Sequence, residues 1–334
     1  MPTRIISLLL LFASFLLLIG LALAHPEPLM LTATLAGLCI GSFLNVVVYR
    51  LPLMLEREWV RDLRDSVPPG LQRAAVRLGC HATSHETRPD NLDAPFNLSV
   101  PRSRCPRCGH PISALENIPV LSYLFLQGRC RGCKTPISLR YPLVELLTGA
   151  LTLLALSALG LTAQGLLVAL VCWFSVALAL IDLDTLTLPN QLTLPLLWLG
   201  LITSTQGVLI EPVAAITGAA AGYGGLYLLN TLVKKTTGRD GMGRGDFKLT
   251  AAIGAWVGAA GLPLVLLAAA CAATCVGLWL AWRRRAPLLT LRLPFGPFLA
   301  SSTIGLLLVP DVRTDFALKA ADLLLLLAAR GIIN

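Results

Sequence analysis

The sequence predicts an all-α polytopic membrane protein with about eight to ten transmembrane helices and a small cytoplasmic zinc-ribbon-like module. The 334 residues are 55% apolar and only 13% charged, whereas soluble domains carry about 25% charged residues. The mean hydropathy is +0.74. Most of the apolar residues fall in runs of about 20, the length that crosses the hydrocarbon core of a bilayer as a helix. A water-soluble globular protein is therefore excluded.

Charged and Pro/Gly-rich breaks divide the apolar runs into nine candidate spans. A tenth run, at about 314–330, is interrupted by charges, so we expect it either to cross the membrane or to lie in the interface. The first run exceeds the usual apolar core of a signal peptide, about 7–15 residues. We therefore expect a retained helix there, with a cleavable signal peptide as the alternative. The nine spans cover about 5–24, 29–50, 142–160, 164–183, 190–206, 212–232, 248–261, 263–282 and 294–309.

The basic residues predict the topology. Thirteen of the 27 Lys and Arg residues lie in 51–140, and none lies between Arg140 and Lys234. Because cytoplasmic loops are enriched in Lys and Arg, we place 51–140 in the cytoplasm, and four spans then return the chain to the cytoplasm at Lys234. The net charge of +9 thus reflects membrane topology, and we expect no nucleic-acid partner.

This topology predicts three parts of the chain. N-terminal transmembrane helices occupy 1–50, a basic cytoplasmic loop occupies 51–140, and a multi-span membrane domain occupies 141–334.

Two Cys-x-x-Cys pairs lie in the cytoplasmic loop. Cys105 and Cys108 form the first pair and Cys130 and Cys133 the second, with 21 residues between them, close to the spacing of a four-cysteine zinc ribbon. Four thiolates complete a tetrahedron, so the zinc is expected to be structural. The alternatives are two disulfides, which a reducing compartment disfavours, or four unused thiols. We expect no second metal site at Cys80, His81 and His85, because two or three ligands without a partner pair usually bind no metal.

Four carboxylates lie at the edges of predicted spans: Glu145, Asp182, Asp184 and Asp246. Ionisable groups in such positions are costly to bury and are functional candidates. Asp182 and Asp184 are about 200° apart around a helix. Only one of these two side chains can therefore face a common site.

Asp246 closes a glycine-rich turn, Gly241-Met242-Gly243-Arg244-Gly245-Asp246. A phosphate-binding loop would follow a strand and would end in Lys and Ser or Thr, so that interpretation is excluded. Two interpretations remain open. Asp246 is one half of an aspartyl dyad, in which two carboxyl groups supply an acid and a base, or it is the N-cap of its helix, worth about 1 kcal/mol.

With these motifs in order, the sequence resembles the type IV prepilin peptidases, which are bacterial inner-membrane aspartyl proteases of the G-x-G-D group. The resemblance covers about residues 29–310. Besides the two cysteine pairs, it depends on 41–52 (GSFLNVVVYRLP), 116–123 (ENIPVLSY), 140–149 (RYPLVELLTG), 182–190 (DLDTLTLPN) and 243–246 (GRGD). The apolar run 5–24 and the longer stretch 60–100 depart from the family pattern.

The resemblance implies that Asp182, seven residues before Pro189, and Asp246 are the catalytic pair. It implies cleavage of the basic leader of prepilins and pseudopilins after a Gly at the cytoplasmic face. It also implies N-methylation of the new N-terminus from S-adenosylmethionine, with Gly128 matching a glycine linked to that activity. A peptidase without methyltransferase activity, or a transporter with a regulatory zinc module, is the alternative. Glu116, Glu145 and Asp184 are the candidates for the negative groups that select the leader, with a helix-packing or capping role for each as the alternative.

Overall fold

The computed structural model describes residues 2–25, 29–66, 94–238, 241–285, 287 and 293–309. Within these ranges the chain forms nine α-helices, one 3-10 turn at Leu115–Asn117 and no β-sheet. The helices are α1 (Pro2–Ala24), α2 (Leu29–Ser66), α3 (Leu121–Phe125), α4 (Arg140–Leu159), α5 (Ala163–Thr185), α6 (Asn190–Ser204), α7 (Pro212–Thr237), α8 (Arg244–Arg284) and α9 (Gly296–Leu308).

All nine predicted spans are helical, and the predicted all-α membrane fold is confirmed. Six of the described helices are long and apolar enough to cross a membrane, namely all but α3, α6 and α9. The predicted tenth run at 314–330 and the candidate ligands Cys80, His81 and His85 lie outside the described residues.

Two helices differ in length from the predicted spans. The helix α2 continues 16 residues past the predicted end at residue 50, with Pro52 inside it. Its extension is held on one side by Leu55, which packs on the core, and by Arg57, whose guanidinium lies 4.1 Å from the Phe96 ring centre. The predicted spans 248–261 and 263–282 both belong to α8, which is broken at Gly258, where φ is +75°. The break falls at a residue without Cβ, which adopts positive φ at little cost.

The main core surrounds α5, which packs against α2, α4, α6 and α9. Leu178 and Ile181 of α5 are fully buried, together with Trp256 of α8 and Leu299 of α9. The Trp256 indole N–H donates to the carbonyl of Leu196 in α6, at 2.9 Å. The last turns of α5 are therefore fixed from several sides.

Small residues bring α7 and α8 into close contact. A Cβ added to Gly254 would overlap the carbonyl oxygen of Gly218, and one added to Gly222 would lie 2.6 Å from the Thr250 carbonyl oxygen. Membrane helices associate largely through such close packing, because lipid supplies no hydrophobic drive between them. The contact positions the first turns of α8.

We predict that Gly254→Ala destabilises the protein by about 1–3 kcal/mol, the usual cost of overpacking, and lowers its unfolding temperature in detergent. Gly225→Ala in α7 is the control, because nothing lies within 4 Å of the added Cβ. The control should match or exceed the wild-type temperature, since Ala favours helix over Gly. Equal temperatures for the two variants would contradict this account of the α7–α8 contact.

Candidate active site and metal centre

Asp182 lies one turn before the end of α5 and is 5% exposed. The helix ends in Leu186, which has a left-handed backbone and donates its N–H to the Asp182 carbonyl, at 2.9 Å. The chain then makes a turn that ends at Pro189, which has an extended backbone and is the N-cap of α6. The Asp182-to-Pro189 segment is thus a helix end followed by a tight turn into the next helix.

Asp246 is the third residue of α8. The N-cap is Gly243, whose carbonyl accepts the Asp246 N–H at 3.1 Å. The interpretation of Asp246 as the N-cap residue is therefore wrong, because the N-cap is Gly243, three residues earlier. An acidic side chain in the first turn of a helix is compatible with the helix dipole, and this leaves the carboxylate available for other contacts.

The two aspartate-bearing segments meet although 64 positions separate them. A Cβ on Gly245 would lie 3.0 Å from the Leu188 Cβ, so the glycine-rich turn rests directly on the turn after α5. The Lys248 ammonium donates to the Asn190 side-chain oxygen, at 2.9 Å. Asp182 and Asp246 are close enough to interact electrostatically. The structure therefore brings together the two carboxylates that the sequence singled out.

A third segment, the start of α9, also reaches this site. The backbone N–H of Gly296 donates to Asp182 Oδ2, at 2.9 Å, and the contact is buried. Sequence analysis missed this residue. The signal available was a glycine between prolines and aromatic residues, Pro294-Phe295-Gly296-Pro297, at the beginning of an apolar span.

Asp184 points away from this site. Its carboxylate pairs with the Arg140 guanidinium at 2.7 Å, and the same guanidinium donates to the Leu180 carbonyl at 3.4 Å. Both side chains of the ion pair are about 40% exposed. This agrees with the prediction that Asp182 and Asp184 face different directions.

The four cysteines of the two pairs converge. Their sulfur atoms all lie within 4.8 Å of one another, with Sγ–Sγ distances of 3.8 Å for Cys105 to Cys133 and 3.9 Å for Cys108 to Cys130. Sulfurs 2.3 Å from a tetrahedral zinc are about 3.8 Å apart. The donor set and its spacing therefore fit Zn²⁺.

The two cysteine pairs have the same backbone fold. In the first pair, the Cys105 N–H donates to the His110 carbonyl, and in the second the Cys130 N–H donates to the Thr135 carbonyl. The residue after each pair has positive φ, +71° at Gly109 and +58° at Lys134. The Thr135 hydroxyl and N–H lower the pKa of Cys133 to about 6, and the thiolate is the form that binds metal.

Two glutamates stabilise the cysteine module, the segment that carries the two cysteine pairs. Glu116 joins the two pairs to each other, and Glu145 attaches the module to the helices. The Glu116 carboxylate contacts His110 beside the first pair at 3.3 Å and Arg131 within the second at 3.6 Å. Glu145 is buried in α4 and accepts the Val120 N–H at 2.7 Å. Both side chains, like Asp184, are thus engaged within the chain, and each has a structural role that needs no leader peptide.

Gly128 lies at the start of the second cysteine turn, with φ of +63°. A Cβ there would lie 2.7 Å from the Tyr123 ring and its hydroxyl, and that hydroxyl donates to the Ile137 carbonyl at 3.2 Å. The glycine therefore permits a contact that keeps the turn closed. It also borders a cavity of about 160 Å³, lined in addition by Ser7, Leu8, Tyr123, Gln127, Pro136, Ile137 and Leu139.

Comparison with known proteins identifies the family of this chain. Residues 35–159 match the model of the bacterial peptidase A24 N-terminal domain, and residues 169–278 match that of the type IV leader peptidase family. Proteins named prepilin leader peptidase/N-methyltransferase are 46% identical in Aeromonas hydrophila, over 84% of this chain and 91% of the relative, and 43% identical in Pseudomonas aeruginosa, over 83% and 89%. No solved structure matches. The resemblance read from the motifs is confirmed, and this chain belongs to the type IV leader peptidase family.

Proposed function

We propose that this protein is a membrane aspartic endopeptidase that removes the short basic leader of type IV prepilins and pseudopilins after a Gly. The same enzyme then N-methylates the new N-terminal residue with S-adenosylmethionine as donor. It acts in the bacterial inner membrane, with its active site at the cytoplasmic face. The names of the relatives support both activities, and the family supports the first.

The observation that carries the proposal is the meeting of Asp182 and Asp246. Each lies within one turn of a helix end, and the turns beside them are in contact through Leu188 and Gly245. Two adjacent carboxyl groups can divide the roles of acid and base. A transporter would place its ionisable groups near the middle of the membrane, whereas this pair lies at helix ends, as cleavage at a membrane edge requires.

The chemistry requires one carboxylate and one carboxylic acid. The ionised group takes a proton from water as the water oxygen adds to the scissile carbonyl carbon, and the protonated group donates to the carbonyl oxygen. The substrate's apolar helix stays in the bilayer while the bond after the leader reaches the pair. Glu116, Glu145 and Asp184 are engaged within the chain, so we assign leader recognition to none of them.

We assign the Cys105, Cys108, Cys130 and Cys133 cluster to a structural Zn²⁺, because four thiolates leave no open coordination position. S-adenosylmethionine supplies an electrophilic methyl group. The acceptor is the α-amine freed by cleavage, whose usual pKa of about 7.7–8.0 leaves a reactive neutral fraction at cytoplasmic pH. We propose that Gly128, which the family resemblance links to the methyltransferase activity, lies near the site of methyl transfer.

We predict that Asp182→Asn and Asp246→Asn each abolish cleavage, a loss of at least about 100- to 10,000-fold, the usual contribution of a general acid or base. Asp184→Asn should retain substantial activity, because it removes only an exposed ion pair, worth about 0.2–1 kcal/mol. Mass spectrometry of a prepilin incubated with each purified variant measures the product. An inactive Asp184→Asn with an active Asp182→Asn would invert the assignment.

The same two inactive variants have a built-in control for folding. Given pilin that is already cleaved, they should still transfer a labelled methyl group, whereas unprocessed prepilin should receive none because it lacks the free amine. Failure to methylate cleaved pilin in a folded variant would mean that the two activities share one pocket.

We predict about one zinc per chain, bound by the four cysteines. Replacing any one of them with Ser should lower the zinc content, because such small modules depend on metal for their fold. The matched control is Cys275→Ser, which changes an exposed cysteine of α8 and should leave the zinc content unchanged. Fully active enzyme in which elemental analysis finds no metal would contradict the assignment.

We predict that Gly128→Lys impairs methylation more than cleavage, and that Gly128→Ala does so to a smaller extent. Either side chain must displace Tyr123, whereas Asp182 and Asp246 lie on other segments. Gly109→Ala is the control, since Gly109 also has positive φ but has nothing within 4 Å of an added Cβ. Labelled-methyl transfer to cleaved pilin should fall for Gly128→Ala well below its value for Gly109→Ala. Equal methyl transfer by the two alanine variants would contradict a role for the contact between Gly128 and Tyr123, because both variants carry similar backbone strain.

A further inference from the structure

The start of α9 makes the hydrogen bond that fixes the carboxylate of Asp182. Gly296 N–H donates to Oδ2 at 2.9 Å, and the helix begins at this glycine. The first N–H groups of a helix have no partner inside the helix and lie at its positive end. A carboxylate oxygen is a well-matched acceptor for such an N–H.

Only glycine allows the approach. A Cβ on Gly296 would lie 2.7 Å from Asp182 Oδ2 and 3.2 Å from Asp182 Cγ. These distances are shorter than van der Waals contact, and neither partner can yield easily. Asp182 and Gly296 are both buried. Any side chain at residue 296 must therefore move the carboxylate.

The helix α9 is a firm support for this contact. Leu299, Ala300, Thr303, Leu306 and Leu307 are all buried, and α9 packs against both α5 and α8. These are the two helices that bear Asp182 and Asp246. The position of Gly296 is consequently set relative to both carboxylates at once.

We propose that Gly296 is a positioning residue for the peptidase reaction, which holds Asp182 as the ionised member of the pair. This inference rests on the proposed function. The contact uses Oδ2, and Asp182 Oδ1 makes no hydrogen bond within the described residues, so Oδ1 is the atom that takes the proton from water. The water oxygen bonds to the scissile carbonyl carbon, and the carbonyl oxygen takes the proton of Asp246. The resulting diol collapses as its C–N bond breaks. The leaving amine then takes the proton from Asp182, and a diol hydroxyl returns one to Asp246.

The test compares Gly296→Ala with Gly305→Ala in purified full-length protein, using steady-state cleavage of a prepilin. Both changes add one methyl group to α9, but nothing lies within 4 Å of a Cβ at Gly305. We expect Gly296→Ala to lower kcat by about 10- to 100-fold, the effect of a small misplacement of a reacting group. Its KM should stay within about twofold, because the change misplaces a reacting group and removes no binding interaction with the substrate. Gly305→Ala should change neither constant.

Labelled-methyl transfer to cleaved pilin is the second measurement. We expect Gly296→Ala to retain it, which shows that the protein is folded and that only the peptidase pair is disturbed. A wild-type kcat, a rise in KM without loss of kcat, or parallel loss of both activities would overturn the role of Gly296. Failure of the wild-type enzyme to cut prepilin would instead refute the proposed function, so the two failures are distinguishable.

Discussion

The rest of the structure depends on the burial of the Asp182 carboxylate and on the hydrogen bond that replaces its lost hydration. Asp182 is 5% exposed, and burying such a group costs several kcal/mol unless hydrogen bonds replace its hydration. The replacement comes from the N–H of Gly296, the first residue of α9. The end of α5, the start of α9 and the start of α8 must therefore be held together. Ile181 and Leu299, on the same two helices as Asp182 and Gly296, are fully buried in the main core.

Glycine is the residue that allows the three helix ends to meet. Gly245 lets the first turn of α8 lie against Leu188, and Gly296 lets α9 reach Asp182. Away from the site, Gly218 and Gly254 let α7 support α8 at backbone contact. In a bilayer such contacts provide much of the association between helices. Close packing thus determines both the stability of the domain and the positions of its carboxyl groups.

The cysteine module is joined to the membrane helices by charged side chains that have partners. Arg50 of α2 is buried and donates to the carbonyls of Asn97 at 2.9 Å and Pro101 at 2.7 Å. Glu145 of α4 accepts the Val120 N–H, and Val120 is completely buried. Arg140, the first residue after the module, pairs with Asp184 on the helix that carries Asp182. One ion pair therefore links the residue that follows the module to the end of the helix that bears Asp182.

The sequence by itself determined the membrane fold, the helical spans and the four-cysteine set, because apolar length and ligand spacing are local properties. Helical phase showed only that Asp182 and Asp184 face different directions, and the resemblance to the family implied the choice of Asp182 and Asp246. It did not determine where α2 ends or that α8 breaks at Gly258, since packing of Leu55 and Arg57 and the backbone freedom of one glycine decide these. The roles of Glu116, Glu145 and Asp184 were also decided by tertiary structure, because their partners are set by folding and not by the chain segment around each of them. Gly296 is the clearest case. It lies 114 residues from Asp182, and only the packing of α9 against α5 brings its N–H to the carboxylate.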